Sequence, residues 1–423
     1  MDPNLHLQLK LLDAELKKSQ QTPYTGRRME CENLAGMHGR VGLNRGWAAP
    51  RLRVECKLEA RPGYNSMSAN EYSDEPSVLQ AKVKVMAQLI RRSTQFCAYT
   101  GAGISTASGI DDYASKAKNS IAMKRKKVSG FQAQPTLAHR VMASIFRAGH
   151  LKHWVQQNHD GLPQKAGFPP EHLNEIHGAW YDPSNPVVPM SGSLRTDLCE
   201  WLYEWEEKTD LTLAMGTSLC GMNADRMVET PNTKARKRGS SCLGSIIVGL
   251  QQTVHDNDCS LRFFCTCDEV MALLARELGL AQPENEHCVR AQAEYKAVLP
   301  SSSIVQLVDR KIPGVLKIPY DSSGRLTSDE AKFTTWDLRA GAGVKITIGP
   351  GEGYVGTIAG RTPDGHVRVK LPCQREGSKD QGKKWVIYVL GQWWLETVVN
   401  GRCALLPFVN TTQKPKLPKL SKS

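Results

Sequence analysis

Residues 100–116 read TGAGISTASGIDDYASK, and their reading decides the fold. They follow the apolar run FCAY at 96–99, so a short strand passes straight into a turn that carries Gly101 and Gly103. Two positions without a Cβ let the backbone approach a pyrophosphate, and the N–H groups of a following helix favour its negative charge. Ahead of the strand, Val78, Leu79, Val83, Met86, Leu89 and Ile90 recur at helical spacing. A helix, a strand and then glycines form the opening of a nucleotide-binding unit. A dinucleotide loop of the dehydrogenase type would carry a third glycine at 106 and an acidic ribose ligand about twenty residues on. This chain has Thr106 and the run KRKK at 124–127 instead, which argues against hydride transfer.

The alternation continues along the chain. A helix starting near Pro135 carries Leu137, Val141, Met142 and Ile145 on one face and stops at Gly149. A strand over 151–155, a helix over 198–205 and a strand over 211–215 follow, the last ending in a second turn, GTS, at 216–218. After a basic loop containing KARKR (234–238), strands are expected over 245–250 and 261–265, then a helix over 268–278 closed by Gly279. Strands separated by helices predict an α/β fold with a doubly wound, parallel, Rossmann-like sheet. Residues 1–74 are polar and poorly periodic apart from a short helix around 5–16, and read as a mostly disordered basic and polar extension. Beyond 282, residues 283–334 read as a partly helical linker. Residues 335–402, with Gly-rich turns between VKITI, GYVGTIAG, HVRVKLP and WVIYVLG, read as a small β-barrel. The stretch GEGYVGTIAGRTPDGHVRVKL resembles the SH3-like barrels, and 403–423 reads as a basic, Pro-punctuated tail.

A chain of 423 residues suggests two or three structural units, and a hydrophobic content of 40% is enough for a substantial core. Lys and Arg outnumber Asp and Glu by 55 to 42, a net charge of +13, which favours acidic partners such as nucleotides, nucleic acid or acidic protein surfaces. A solvated basic surface accounts for the same excess equally well. Twelve cysteines are scattered and none stands in a C-x-x-C pair. That spacing gives no reason for a disulfide framework or a standard zinc site, and reduced thiols fit a nuclear or cytoplasmic setting. The N-terminal run LHLQLKLLDAELKK is amphipathic and interrupted by charge, without the apolar core expected of a secretory signal. No apolar stretch approaches the length that spans a bilayer.

Four further segments follow the glycine loop in order: QPTLAHR (134–140), QNHDGLPQKAGFP (157–169), EIHG (175–178) and MGTSL (215–219). Together with TGAGISTASGI they resemble the sirtuin family of NAD-dependent protein deacylases over roughly 76–281. FPPEHLNEIHG, GSLRTDLCEW, IVGLQQTVHD and CDEVMALLARELGL resemble the nuclear branch, which removes acyl groups from histones or transfers ADP-ribose. The resemblance implies that 75–282 is an NAD-binding catalytic domain acting on an acyl-lysine protein substrate, a histone among the candidates. It implies that Gly101, Ala102 and Gly103 meet the pyrophosphate, with Ser105 opening the helix that follows and Asp112 kept in the cofactor loop. Gln157, Asn158 and Asp160 would sit at the nicotinamide and its ribose, and Gly216, Thr217 and Ser218 would hold phosphate and the adenosine ribose. His177 would be the general base, a neutral imidazole that draws a proton from the ribose hydroxyls. Read without the family, Asn158, Asp160 and Gly161 equally suit a turn, His139 suits packing, and His159 has no evident task.

The chain departs from the family pattern in three places. Where the family reads G-I-P-D-F-R, this chain has Gly109, Ile110, Asp111, Asp112, Tyr113 and Ala114, so a stiffening proline and an arginine are gone. Losing a guanidinium near a pyrophosphate is expected to weaken binding, and Lys116 or Lys118 would not reproduce its fork. Between Gly178 and Gly216 the chain offers only Cys199, so the four cysteines of the family's zinc ribbon are missing and a smaller small domain without zinc is expected. Gly249 stands where relatives carry Asn. Three readings stay open: a deacylase or mono-ADP-ribosyltransferase, an NAD- or ADP-ribose-binding domain with weak turnover, and a basic chromatin or RNA adaptor acting through the C-terminal barrel. The basic runs at 124–127 and 234–238 suit nuclear import or solvated loops, and oligomeric state leaves no mark in the sequence.

Overall fold

The computed structural model describes residues 12–18, 37–122, 128–130, 132–189, 192–280, 314–349, 351–362, 365–373 and 384–415; the run KRKK at 124–127 lies outside them. Contacts divide the chain into two units, Met1–Asn158 with His172–Ile176 and Leu194–Glu284, and His159–Glu171 with His177–Ser193 and Asn285–Ser423. The first unit starts with a helical turn over 12–18 and an antiparallel pair, β1 (Arg51–Val54) and β2 (Glu71–Ser73). Helix α1 (Pro76–Arg92) carries Pro at its first position, where no N–H is needed, and Arg91 and Arg92 in its last turn, where they complement the helix dipole. It leads into β3 (Phe96–Thr100).

Helix α2 (Leu137–Arg147) is capped by Thr136, which accepts from the His139 N–H while the His139 ring accepts from the Thr136 N–H, both at 3.3 Å. His139 is thus a buried capping residue. Then come β4 (Leu151–Gln156), the three-residue β5 (Leu173–Glu175), α3 (Thr196–Lys208) and β6 (Leu211–Met215). Helix α4 (Arg226–Ala235), β7 (Gly244–Val248), β8 (Leu261–Phe263) and α5 (Cys267–Glu277) complete the unit. The sequence places a basic loop where α4 lies. The helix forms because Met227, Val228, Pro231, Asn232 and Ala235 fall on one buried face, and Pro231 hides it from pattern reading.

The six strands run parallel in the order β5-β4-β3-β6-β7-β8, the doubly wound order, with the switch point between β3 and β6. Every residue of β3 and β6 is buried, as expected for strands covered on both faces. Register fixes the upper edge of the sheet. Thr100 pairs with Gln156 and with Met215, and Met215 pairs with Val248, so Gly101, Gln157, Gly216 and Gly249 leave their strands at the same level.

Polar composition predicts disorder over 1–74, yet the described part from 37 on is ordered within the first unit. Its anchors are backbone hydrogen bonds and buried charge, which apolar periodicity does not register. Arg40 and Val41 donate to the Cys259 and Ser260 carbonyls at 2.9 Å, and Arg262 donates to the His38 carbonyl at 3.0 Å. Asp74, just past β2, accepts twice from the Lys82 ammonium at 2.7 Å and once from the Phe264 N–H at 3.0 Å, with both side chains of the pair wholly buried.

The second unit is antiparallel. Strands β9 (Val315–Ile318) and β10 (Thr334–Asp337) pair with each other. Five more strands, β11 (Gly343–Ile346), β12 (Val355–Arg361), β13 (Val367–Cys373), β14 (Lys384–Leu390) and β15 (Phe408–Asn410), form a sheet in the order β14-β13-β12-β11-β15. Its core joins Tyr320, Trp336, Val344, Val369 and Phe408, with helix α6 (Gln392–Val399) contributing Leu395 and Val398. The antiparallel part therefore starts before residue 335 and ends after 402, because Leu316 and Ile318 alternate with exposed neighbours in β9 and Phe408 is buried in β15. Loop residues from 159–193 pack in this unit too: Tyr181 clusters with Val389 and Trp393, and a Cβ on Gly161 would stand 2.7 Å from the Trp393 ring.

Candidate nucleotide-binding site

At the switch point the two glycine turns lie against each other. The Gly101 N–H donates to the Met215 carbonyl at 3.2 Å, the Gly103 N–H to Gly216 at 2.8 Å, and the Gly216 N–H to Val248 at 3.1 Å. A Cβ on Gly103 would stand 2.7 Å from the Gly216 Cα, and one on Gly216 2.4 Å from the Ile104 nitrogen. Gly216 has φ +60, a left-handed backbone that glycine adopts at no steric cost. The glycines are thus demanded first by the contact between the two turns; the N–H groups of Gly101 and Gly103 are already engaged there. After β3 the chain makes two successive 3-10 turns, Ala102–Ile104 and Thr106–Ser108, rather than the helix expected to open at Ser105.

Below the turns runs a hydrogen-bonded relay. The Gln157 amide donates to the Tyr99 hydroxyl and, at 3.2 Å, to the Thr217 hydroxyl. Tyr99 donates to Asp225 Oδ1 at 2.8 Å, and Asp225 Oδ2 accepts from the Gly221 and Met222 N–H groups at 2.7 and 2.9 Å. Burial pushes the Tyr99 hydroxyl well above its ordinary range, so it remains a donor, and burial also raises the Asp225 carboxyl. Asn158 donates from Nδ2 to the Gly101 carbonyl and the Ser105 hydroxyl, both at 3.1 Å, tying the end of β4 to the first turn.

A cavity of about 240 Å³ opens above this floor. Ala102, Gly103, Gln157, Gly216, Thr217 and Ser218 line it, as does Asp112, while Gly101, Ser105 and Asn158 support those residues from outside the lining. Asp112 caps its own loop: Oδ1 accepts from the Ala114 and Ser115 N–H groups at 3.1 and 2.7 Å, and Oδ2 from the Ser115 hydroxyl at 2.9 Å. The segment 109–116 is therefore a folded turn despite its unusual sequence, and Gln251 fastens it further by donating to the Ala114 carbonyl at 2.9 Å. Gln251 is held from below. The buried Arg262 donates to the carbonyls of Gln251, Phe263 and, at 3.1 Å, Gly249, and to Asp256 Oδ1 at 2.7 Å. On another side Thr266, Cys267 and Asp268 bring the start of α5 to the cavity.

His177 and Asp160 belong to the second unit. The loops that carry them are joined there: His159 Nδ1 meets the Gly178 carbonyl at 2.9 Å, and the Trp180 N–H donates to the His159 carbonyl at 2.9 Å. The Val188 N–H donates to the His177 carbonyl at 2.9 Å, and Asp160 Oδ1 accepts from the Leu162 N–H at 3.0 Å. Gly178 has φ +86, and a Cβ there would stand 2.2 Å from the Pro186 oxygen, so the His-Gly turn admits little besides glycine.

Sequence reasoning misses Arg61, Glu71, Gln251, Thr253 and Asp268 as lining residues. Gln251 and Asp268 fall within the quoted motifs IVGLQQTVHD and CDEVMALLARELGL, where their position after a strand or at a helix start was a usable signal. Arg61 and Glu71 lie in the stretch whose polarity suggests disorder, and nothing in its periodicity marks them. Among the described residues no group of three or more His, Cys, Asp or Glu side chains is arranged to hold a metal ion, and no helix is long and apolar enough to cross a membrane.

No protein-family model matches the chain. It is 29% identical over 257 residues to the NAD-dependent protein deacetylase sirtuin-7 of Bos taurus, an alignment that covers 50% of this chain and 64% of that relative. To the NAD-dependent protein deacetylase Sirt6 of Drosophila melanogaster it is 26% identical over 299 residues, covering 58% of this chain and 92% of the relative. Among solved structures, one titled Sir2-p53 peptide-NAD+ is 22% identical, with a TM-score of 0.39 over 47% of this chain and 98% of that one. The chain thus spans less than two thirds of the length of the sirtuin-7 proteins it matches.

Proposed function

We propose that this chain, a divergent member of the sirtuin family, binds NAD in the cavity above β3 and β6 and uses it to remove acyl groups from protein lysines. One observation carries the reading: two glycine turns abut at the switch point of a doubly wound sheet, over the fixed amide of Gln157. The donor set fits a dinucleotide. A Cβ at Gly103 or Gly216 would disrupt the cradle, the Thr217 and Ser218 hydroxyls and the Gln157 amide offer neutral partners for ribose and carboxamide, and the start of α5 adds a partial positive charge.

Bound NAD supplies an ADP-ribosyl group with nicotinamide as its leaving group. On this reading Gly103 and Gly216, lacking a Cβ, let the phosphates come close to the backbone beside Ala102, Thr217 and Ser218 meet the adenosine ribose, and Gln157 and Asn158 the nicotinamide end, with Asp160 orienting the ribose. His177 moves a proton from a ribose hydroxyl, a role worth roughly 100- to 10,000-fold in rate. A second reading, a domain that binds NAD or ADP-ribose with weak turnover, is favoured by Asp111 and Ala114 in the loop over the cavity. Purified protein given NAD and an acetyl-lysine peptide should release nicotinamide, and His177→Ala should abolish the release. Background release together with calorimetric binding of ADP-ribose moves the assignment to the second reading; absence of both overturns the NAD site altogether.

The same reading extends to the finer features. We take the five-stranded sheet of the second unit as an SH3-like barrel, supported by its short antiparallel strands and Gly-rich turns. The small domain would work without zinc, the acyl-lysine substrate would be a nuclear protein such as a histone, and basic segments such as 234–238 would serve a nuclear location or nucleic-acid contact.

A further inference from the structure

We propose that Arg61 is the cation that holds the phosphates of the nucleotide, so that the turn 59–68 forms one wall of the site; this rests on reading the cavity as an NAD site. The argument starts from charge. Among the described residues that line the cavity, Glu71, Asp112 and Asp268 are acidic and Arg61 is the one cation. Each carboxylate has partners of its own: Glu71 accepts from the Ser120 hydroxyl and, at 2.7 Å, the Ile121 N–H, Asp268 from the Ala138 N–H at 2.8 Å, and Asp112 from its own turn. Arg61 has no carboxylate partner among the described residues. Its guanidinium lies over two aromatic faces instead, 4.9 Å from the Tyr64 ring centre and 5.1 Å from that of Tyr113. Three carboxylates against one guanidinium leave the lining net negative even with Arg61 counted, so Arg61 is the one charged group there that attracts a pyrophosphate, and it does so with a planar, always-charged fork that binds phosphate oxygens two at a time.

The turn that presents Arg61 is built to hold it still. The Arg61 N–H donates to the Ser66 hydroxyl at 3.1 Å and that hydroxyl donates back to the Arg61 carbonyl at 3.0 Å. Glu59 and Ser68 form an antiparallel bridge, and the Ala60 N–H donates to Met67 at 2.9 Å. At the tip, the Asn65 N–H donates to the Cys220 carbonyl at 3.1 Å, which fastens the turn to the segment just beyond Thr217 and Ser218. Tyr113 stacks on the guanidinium from the loop next to Ala114, so a small side chain at 114 and an arginine arriving from 61 are compatible features of one design.

Calorimetry with ADP-ribose tests the assignment. Arg61→Ala should weaken binding roughly 10- to 100-fold, the scale of a lost charge-assisted pair, with the melting midpoint unchanged. Arg61→Lys should fall between the two, keeping the charge and losing the fork. Wild-type affinity should also decline more steeply with added salt than that of Arg61→Ala. Wild-type protein that binds ADP-ribose no better than Arg61→Ala overturns the proposal alone, as does an equal loss of affinity for adenosine, which carries no phosphate. A wild type that binds neither compound removes the NAD reading and this proposal with it.

Discussion

The Tyr99 hydroxyl accepts from Gln157 and donates to Asp225, so one buried oxygen orients a side chain of the cavity and caps the segment after β6. Tyr99→Phe keeps the ring in its packing and removes only that oxygen. It leaves Asp225 Oδ1 and one Gln157 donor without their partner, at a cost of about 1–3 kcal/mol that urea denaturation should register. ADP-ribose affinity should fall as well, because Gln157 loses the group that orients it; unchanged affinity with lowered stability would show that the amide needs no such guidance. Packing sets a second residue-scale limit. Gly216→Ala adds both a clash with Ile104 and a strained left-handed backbone, whereas Gly103→Ala adds the clash alone, so Gly216→Ala should lower the melting midpoint further. The glycines were visible in the sequence as a phosphate loop, yet the partner each one touches was not, because a turn-to-turn contact between residues 103 and 216 has no local signature.

Elements with strong periodicity were legible: α1, α2, α3 and α5 and the buried strands β3, β4, β6, β7 and β8 stand within a few residues of where apolar spacing puts them. The three-residue β5 and the Pro-containing α4 were not, the first because LNE carries no strand pattern and the second because proline usually ends a helix. The ordering of 37–74 escaped for another reason: a buried ion pair holds it. The side chains of Lys82 on α1 and Asp74 after β2 are both wholly buried, and burial lowers the Lys82 ammonium from its ordinary range, an effect that Asp74 offsets only in part. Asp74→Ala strands the ammonium and the Phe264 N–H, and should destabilise the first unit by about 3–5 kcal/mol. Replacing both partners, Asp74→Ala with Lys82→Met, should recover much of that loss in the same denaturation experiment. If the double variant is no better than the single one, the hydrogen bond to Phe264, rather than the unpaired charge, carries the anchor.

For the molecule as a whole, buried neutral histidines set the acid limit of stability. Burial lowers His38 to about 4 and His139 and His153 to about 3 in the first unit, and His366 to about 3 in the second. A depressed histidine binds its proton more readily when unfolded, so stability is complete above pH 6.5 and declines as pH falls from there toward 4 and 3. Each such group steepens the decline by about 1.4 kcal/mol per pH unit between its unfolded and folded values, so the histidine contribution to acid sensitivity is steeper in the first unit, with three of them, than in the second. His153 allows a clean measurement because its ring stacks on Trp205 at 4.8 Å, with an interplanar angle of 3°, and meets Trp201 edge-on at 4.5 Å. Phenylalanine can keep both contacts and cannot take a proton. Denaturation of His153→Phe at a series of pH values from 7 to 4 should therefore show a slope shallower than wild type by about one proton's worth, roughly 1.4 kcal/mol per unit. An unaltered slope would mean that protonated His153 is tolerated in the fold, and that the acid limit is set by other groups.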